Sequence, residues 1–174
     1  MMSKTEENLM AAFTGESKAR NRYAFYADVA RREGYRYIAK ILEETAENEK
    51  YHALEEMKLL LAKRTTAENL REGIENERYE SEEMYPRFSR EAEVEGHMQA
   101  EILFSQISKI EKEHKKRFQK LLSMIEAGTV FKREQPIKWK CSICGYTYEG
   151  YEPPNRCPYC KHKKEYYEPA NLDV

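Results

Sequence analysis

No window of this 174-residue chain approaches the ~18 consecutive apolar residues that a membrane span requires. The opening Met1-Met2-Ser3-Lys4-Thr5-Glu6-Glu7 lacks the apolar run of a signal peptide. An excess of one charge is missing too. Charged residues make up 35% of the chain, yet the net charge is -1, so the overall balance offers nucleic acid no attraction. Cysteine is absent before position 141, and all four cysteines fall between 141 and 160. That clustering argues against a secretory disulfide framework and for a metal knuckle. These absences lead to the expectation of a soluble, cytoplasmic protein engaging neither membrane nor nucleic acid. The mean hydropathy of -0.92 is low for a folded protein. Even so, Leu, Ile, Phe and Tyr recur periodically, which points to amphipathic helices with charged outer faces rather than to disorder.

Four helices can be placed. The first runs from about 6 to 32, with Leu9, Phe13, Glu16, Tyr23 and Ala30 on one stripe and Gly34 as its stop. The second, from about 36 to 62, turns Ile38, Leu42, Thr45, Glu49, His52 and Leu59 inward. Residues 63–69 read as a crossover, with Thr65 or Thr66 as a cap. A third helix over roughly 74–95 carries Glu77, Glu80, Met84 and Phe88 inward, kinked locally by Pro86 and closed by Gly96. The fourth, from about 98 to 126, presents Leu103, Ile107, Ile110, Glu111, His114, Phe118, Leu121 and Ile125 and ends at Gly128.

The halves repeat. Glu49-Lys50-Tyr51-His52 returns as Glu111-Lys112-Glu113-His114, an offset of 62. The same offset relates Tyr23 to Tyr85, Glu33-Gly34 to Glu95-Gly96 and Leu59-Leu60 to Leu121-Leu122. The counterpart of Glu16 is displaced, because position 78 is Arg with Glu77 and Glu80 on either side. A duplicated helical hairpin joined by a crossover makes a four-helix bundle.

Glu-x-x-His on a helix aims a carboxylate and an imidazole from one face. A single copy in so charged a chain would be a solvated face. Two copies at equivalent repeat positions, with Glu16, Glu77 and Glu80 on the other inward stripes, make a costly set of buried carboxylates unless cations neutralise them. Arg20 could reach one carboxylate. Two divalent cations would serve the whole set, and imidazole with several carboxylates suits iron or manganese. Tyr23 and Tyr85 are either core residues or groups bonded to the metal ligands.

After a linker over 129–138, residues 139–174 lose helical periodicity. Cys141-Ser142-Ile143-Cys144 and Cys157-Pro158-Tyr159-Cys160 would hold Zn²⁺ or a single iron tetrahedrally, and so small a piece needs that metal to fold. Gly145 follows the first pair, but Lys161 occupies the equivalent place after the second.

With both sites assembled, the chain resembles the rubrerythrins over nearly its full length. The resemblance is carried by Gly15-Glu16-Ser17, Ala19-Arg20-Asn21-Arg22-Tyr23, both Glu-x-x-His segments, Glu83-Met84-Tyr85-Pro86, Lys138-Trp139-Lys140-Cys141 and the closely spaced knuckles. It implies a mainly α protein, with a ferritin-like di-iron four-helix bundle over 1–128, the linker, and a rubredoxin-like Fe(Cys)₄ domain over 139–174. It also implies a peroxidase that protects cells by reducing hydrogen peroxide to water, with electrons from a rubredoxin or an NAD(P)H-dependent reductase. Homodimers or higher homo-oligomers are implied as well. By the same resemblance Glu16, Glu49, His52, Glu77, Glu80, Glu111 and His114 hold two irons, with Glu49 and Glu111 bridging and His52 exchanging with Glu80. Cys141, Cys144, Cys157 and Cys160 hold the third iron. Lys163 stands where many relatives have proline. The alternatives are a ferroxidase, or an iron-binding bundle with a structural zinc ribbon.

Overall fold

The structure, a computed structural model, describes residues 3–61 and 64–171. Its contacts divide the chain after Arg64 into two units. The first is a helical hairpin of α1 (Lys4–Arg32) and α2 (Arg36–Leu61). Ser3 caps α1 through a capping box with Glu6. Gly34, at φ 87°, lets the chain leave α1, and the Tyr35 N–H donates to the Ala30 carbonyl at 2.9 Å. The two helices meet along alanines: Ala27, Ala30, Ala39, Ala46 and Ala53 are the buried apolar residues.

The second unit opens with α3 (Thr66–Tyr79), continues through a π-helical turn (Glu80–Met84) into α4 (Tyr85–Val94), and returns as α5 (Met98–Glu126). Thr65 caps α3 in a box with Glu68, so this helix begins eight residues before the expected 74 and the crossover shrinks accordingly; positions 62 and 63 lie outside the described residues. Gly73 faces the Phe118 ring, which an added Cβ would meet at 3.2 Å. Gly96 and Gly128 end α4 and α5 as Gly34 ends α1.

The tail of this unit is a three-stranded antiparallel sheet ordered β2-β1-β3, from β1 (Ile137–Cys141), β2 (Thr147–Gly150) and β3 (Tyr167–Pro169). Trp139, fully buried, donates its indole N–H to the Gly150 carbonyl at 3.0 Å and packs with Cys141, Cys157 and Tyr167.

Part of the expected core needs correcting. Ile38, Leu59, Leu103, Ile110 and Ile125 are exposed rather than inward. A helix pair has one seam, and these hairpins close theirs with small side chains (alanines in the first, Ser81, Ala92 and Ser108 in the second). The larger apolar residues then flank the seam instead of filling it.

Candidate metal centres

In the first unit, α1 supplies Glu16 and α2 supplies Glu49 and His52, with donor atoms from all three within 4.8 Å of one another. His52 Nδ1 is 2.8 Å from Glu49 Oε2 and 3.9 Å from Glu16 Oε1. The carboxylates are the more enclosed members. The Glu49 side chain is 18% exposed against 55% for His52.

The second unit repeats this. Glu77 of α3 joins Glu111 and His114 of α5, again within 4.8 Å. His114 Nδ1 is 2.6 Å from Glu111 Oε2 and 3.7 Å from Glu77 Oε2. The matching distances in separate hairpins follow from the repeat: Glu-x-x-His on one helix faces one glutamate on its neighbour.

The displaced counterpart of Glu16 now has a structural cause. Glu16 precedes Tyr23 by seven residues, whereas Glu77 precedes Tyr85 by eight. One extra residue lies between them, and a π turn is how a helix absorbs it without losing its face. The turn begins at Glu80, an additional half-buried carboxylate that feels the charge of Glu111. Pro86 is part of the same device. In the π register the Tyr85 N–H donates to Glu80 O, so the next donor, to Ser81 O, would be the N–H that proline lacks. Ser108 Oγ of α5 donates there instead, at 2.8 Å, between two buried residues. The expected kink at Pro86 is thus a widened turn secured from the opposite helix.

The electrostatics call for cations. Burial first, then Glu49, pushes the Glu16 carboxyl above its ordinary range. Burial and Glu111 do the same to Glu77 and Glu80. One oxygen of Glu77 is buried without a hydrogen-bond partner. Arg20 does not neutralise the set, since its guanidinium bonds Asn21 at 2.8 Å. Arg78 is likewise engaged outside the cluster, by Glu75 and Glu83. A hard divalent cation on each triad would remove the carboxylate repulsion and satisfy the orphaned oxygen. Tyr85 lies among these groups. Its hydroxyl is pushed up by burial and then by Glu80, Glu111 and Glu77. Tyr23 instead packs its ring 6.3 Å from Tyr26. Glu56 escaped the sequence reading: it sits close enough to raise Glu16 further and has one buried oxygen without a partner. Its only signal is a place two turns beyond Glu49 on the same helix.

The four cysteines converge, with Cys141 and Cys157 buried and Cys144 and Cys160 partly exposed. Cys141 Sγ lies 3.6 Å from Cys160 Sγ, and Cys144 Sγ lies 3.6 Å from Cys157 Sγ. A disulfide would be about 2 Å. Four sulfurs around a metal at ~2.3 Å would have edges of about 3.8 Å, so the donors fit a metal. Although burial opposes ionisation, backbone N–H groups of Cys144 and Ile143 bring the Cys141 thiol below its usual value. Those of Cys160 and Tyr159 help bring Cys157 down to about 6 against the same opposition. Backbone donors of this kind favour the thiolate that a metal requires.

Helical carboxylate–histidine triads followed by a Cys₄ knuckle define a class: helical metal proteins with a ferritin-like donor pattern and a rubredoxin-like module. The comparisons with known proteins agree. The Rubrerythrin family profile matches residues 7–122, and the profile of the rubrerythrin rubredoxin-like domain matches 139–168. A rubrerythrin of Porphyromonas gingivalis is 43% identical, over 98% of this chain and 92% of its own. A putative rubrerythrin of Methanocaldococcus jannaschii is 41% identical, over 96% and 93%. A structure of nigerythrin in a mixed-valence state is 31% identical over 97% of this chain and 88% of its own, with a TM-score of 0.37, too low to bear on the fold. The chain belongs to the rubrerythrin family. With membership come an oxidoreductase assignment and the family's iron complement, a carboxylate-bridged pair and one iron at the Cys₄ site. No helix among the described residues is long and apolar enough to cross a membrane.

Proposed function

We propose that the protein is a non-haem di-iron peroxidase of the cytoplasm, reducing hydrogen peroxide to water with electrons relayed through its Cys₄ iron. The reaction consumes two electrons and two protons per peroxide and yields two waters. The observation that carries this reading is the combination on one chain of paired carboxylate–histidine triads with a thiolate tetrahedron. An iron store gains nothing from a second redox centre, whereas a multi-electron reductase needs a route for reloading. The original donor is NAD(P)H, working through a rubredoxin or a separate reductase.

Glu16, Glu49, His52, Glu77, Glu80, Glu111 and His114 would hold the iron pair. The iron pair supplies the electrons that cleave the O–O bond. The protein's own groups set geometry and protons. Seven donors are one more than a symmetric pair of triads requires, and Glu80, on the inserted turn, is the surplus. His52 is the most exposed donor of the two triads and would be the one easiest to exchange for Glu80. A ferric ion favours the anionic oxygen, and a ferrous ion tolerates neutral imidazole. Tyr85, kept protonated by its surroundings, can hold a proton at Oη beside Glu80 and Glu111. Tyr23 is its repeat counterpart.

The test is anaerobic rapid mixing of fully reduced protein with hydrogen peroxide and, separately, with oxygen. Faster reoxidation by peroxide is expected. Faster reoxidation by oxygen would make the protein a ferroxidase, and a colourless, zinc-only Cys₄ site would remove the relay.

A further inference from the structure

The second cysteine knuckle combines two locally unfavourable features. Lys161 sits at φ 65°, in the left-handed region that Gly145 occupies in the first knuckle at φ 76°. A non-glycine residue is strained there. Arg156 and Lys163 face each other as an isolated antiparallel bridge, and like charges directly opposite on paired strands repel. Lys164 follows immediately. From Asn155 to Lys164 there are four cations and no carboxylate. Strain and repulsion kept together at one place point to function rather than to folding.

The place is the exposed edge of the Cys₄ site. Arg156, Cys160, Lys161, His162, Lys163 and Tyr166 line a shallow cavity of about 380 Å³. Cys160 is one of the two partly exposed cysteines. Among the described residues, none of the four cations is ion-paired with a carboxylate: Arg156 donates to Lys161 O, Lys161 to Pro158 O, and the Lys164 ammonium lies 6.0 Å from the Phe131 ring centroid. Elsewhere in the tail, Lys140 faces Glu168 and Lys132 faces Glu152. The free cations spread around the thiolate edge instead of converging on one point. That suits an extended acidic surface better than a single phosphate. Tyr159 is 79% exposed beside them, an aromatic of the kind that anchors protein interfaces.

We propose that this basic face, centred on Cys160 and bounded by Arg156, Lys161, Lys163 and Lys164, docks an acidic electron-carrier protein. The proposal rests on the relay reading above. The docked carrier would give up one electron, its own centre being oxidised by one unit, and the iron that the four cysteines would hold would be reduced by one. No proton moves and no bond is made or broken.

The probe is a rubredoxin of strongly negative net charge, and the full-length, iron-loaded protein is used throughout. The main readout is the association rate of oxidised rubredoxin as a function of ionic strength, which needs no turnover. Steered association falls steeply with salt. Lys163→Glu should slow association about tenfold at low salt and flatten the salt dependence. Lys140→Glu, which changes the net charge equally, should stay within about twofold. Lys161→Gly should slow association about threefold while the melting temperature holds or rises, since glycine relieves the strained position. Equal losses in Lys163→Glu and Lys140→Glu would show a net-charge effect only and overturn the proposal. So would unchanged association in Lys161→Gly and Lys163→Glu together, or Lys163-sensitive binding of NADPH in place of the protein. Salt-sensitive docking on a tail holding only zinc would sustain the face while sinking the relay.

Discussion

Ser108→Ala tests the device that holds the π turn on which Glu80 lies. The Ser108 hydroxyl is the donor to Ser81 O, at 2.8 Å. Ser81 is fully buried and Ser108 is 7% exposed, so water cannot replace the lost donor. An orphaned buried acceptor costs about 1–3 kcal/mol, and the better helix propensity of alanine returns a few tenths. The expected net loss is about 1.5 kcal/mol. For a chain of this size that lowers the melting temperature by about 3–6 °C. Ser123→Ala is the control: its hydroxyl bonds a carbonyl of its own helix at an exposed position, and its effect should stay within about 0.5 kcal/mol. The decisive measurement is a double-mutant cycle with Pro86→Ala by urea unfolding. Alanine at 86 restores an N–H that the π register aims at Ser81 O, so Ser108→Ala should then cost under about 0.5 kcal/mol, a coupling near 1 kcal/mol. Equal costs in both backgrounds would refute the account of the turn, as would a single-mutant loss below about 0.5 kcal/mol.

His52→Ala should slow peroxide turnover at least tenfold while the visible spectrum of the Cys₄ iron stays as it was; unaltered turnover would remove His52 from the ligand set. Cys160→Ser, or stripping the tail metal with a chelator, should bleach the Cys₄ colour and expose Trp139 to solvent, read as a red-shifted fluorescence, with helical circular dichroism largely retained. Glu56→Leu should stabilise the metal-free protein by about 1–2 kcal/mol in urea, because it removes a buried oxygen without a partner and a charge facing Glu16; destabilisation would mean that Glu56 has a partner of its own. Gly96→Ala should cost about 1 kcal/mol by the same measurement, since φ is 75° and the space around it is open; no loss would mean that the turn relaxes.

Much of the site was legible because repetition speaks through spacing. Glu49 with His52 and Glu111 with His114 lie on helices that begin just after Gly34 and Gly96, and those glycines stop the preceding helices in a backbone conformation that few other residues adopt. The Cys₄ site was equally plain, since two Cys-x-x-Cys pairs so close together leave the thiols little else to do. The core was less legible. Ile38, Leu59, Leu103, Ile110 and Ile125 fit an apolar period, but period identifies a face and not the surface that covers it. The hairpin seams went to alanine and serine, whose volumes allow close approach and whose hydropathy gives little signal. Arg20 reads as a counter-ion from its position, yet its guanidinium turns to Asn21. Side-chain choice among neighbours one residue apart is not encoded in periodicity.

The change in offset is where sequence and structure together say more than either alone. Glu77 stands 61 residues after Glu16, while Tyr85 stands 62 after Tyr23. A one-residue insertion in an α-helix would rotate everything beyond it by about 100°, carrying Tyr85 and Phe88 off the face they share with Glu77. The π turn cancels that rotation and leaves a wider coil with one extra side chain near Glu111. Glu80 occupies that position. The insertion therefore preserves the second hairpin's own inward face and gives it a carboxylate on a turn that the first hairpin lacks. Two triads alike in distance thus differ in what lies beside them: Glu80, on an inserted turn, beside the second, and Glu56, on a regular helix, beside the first.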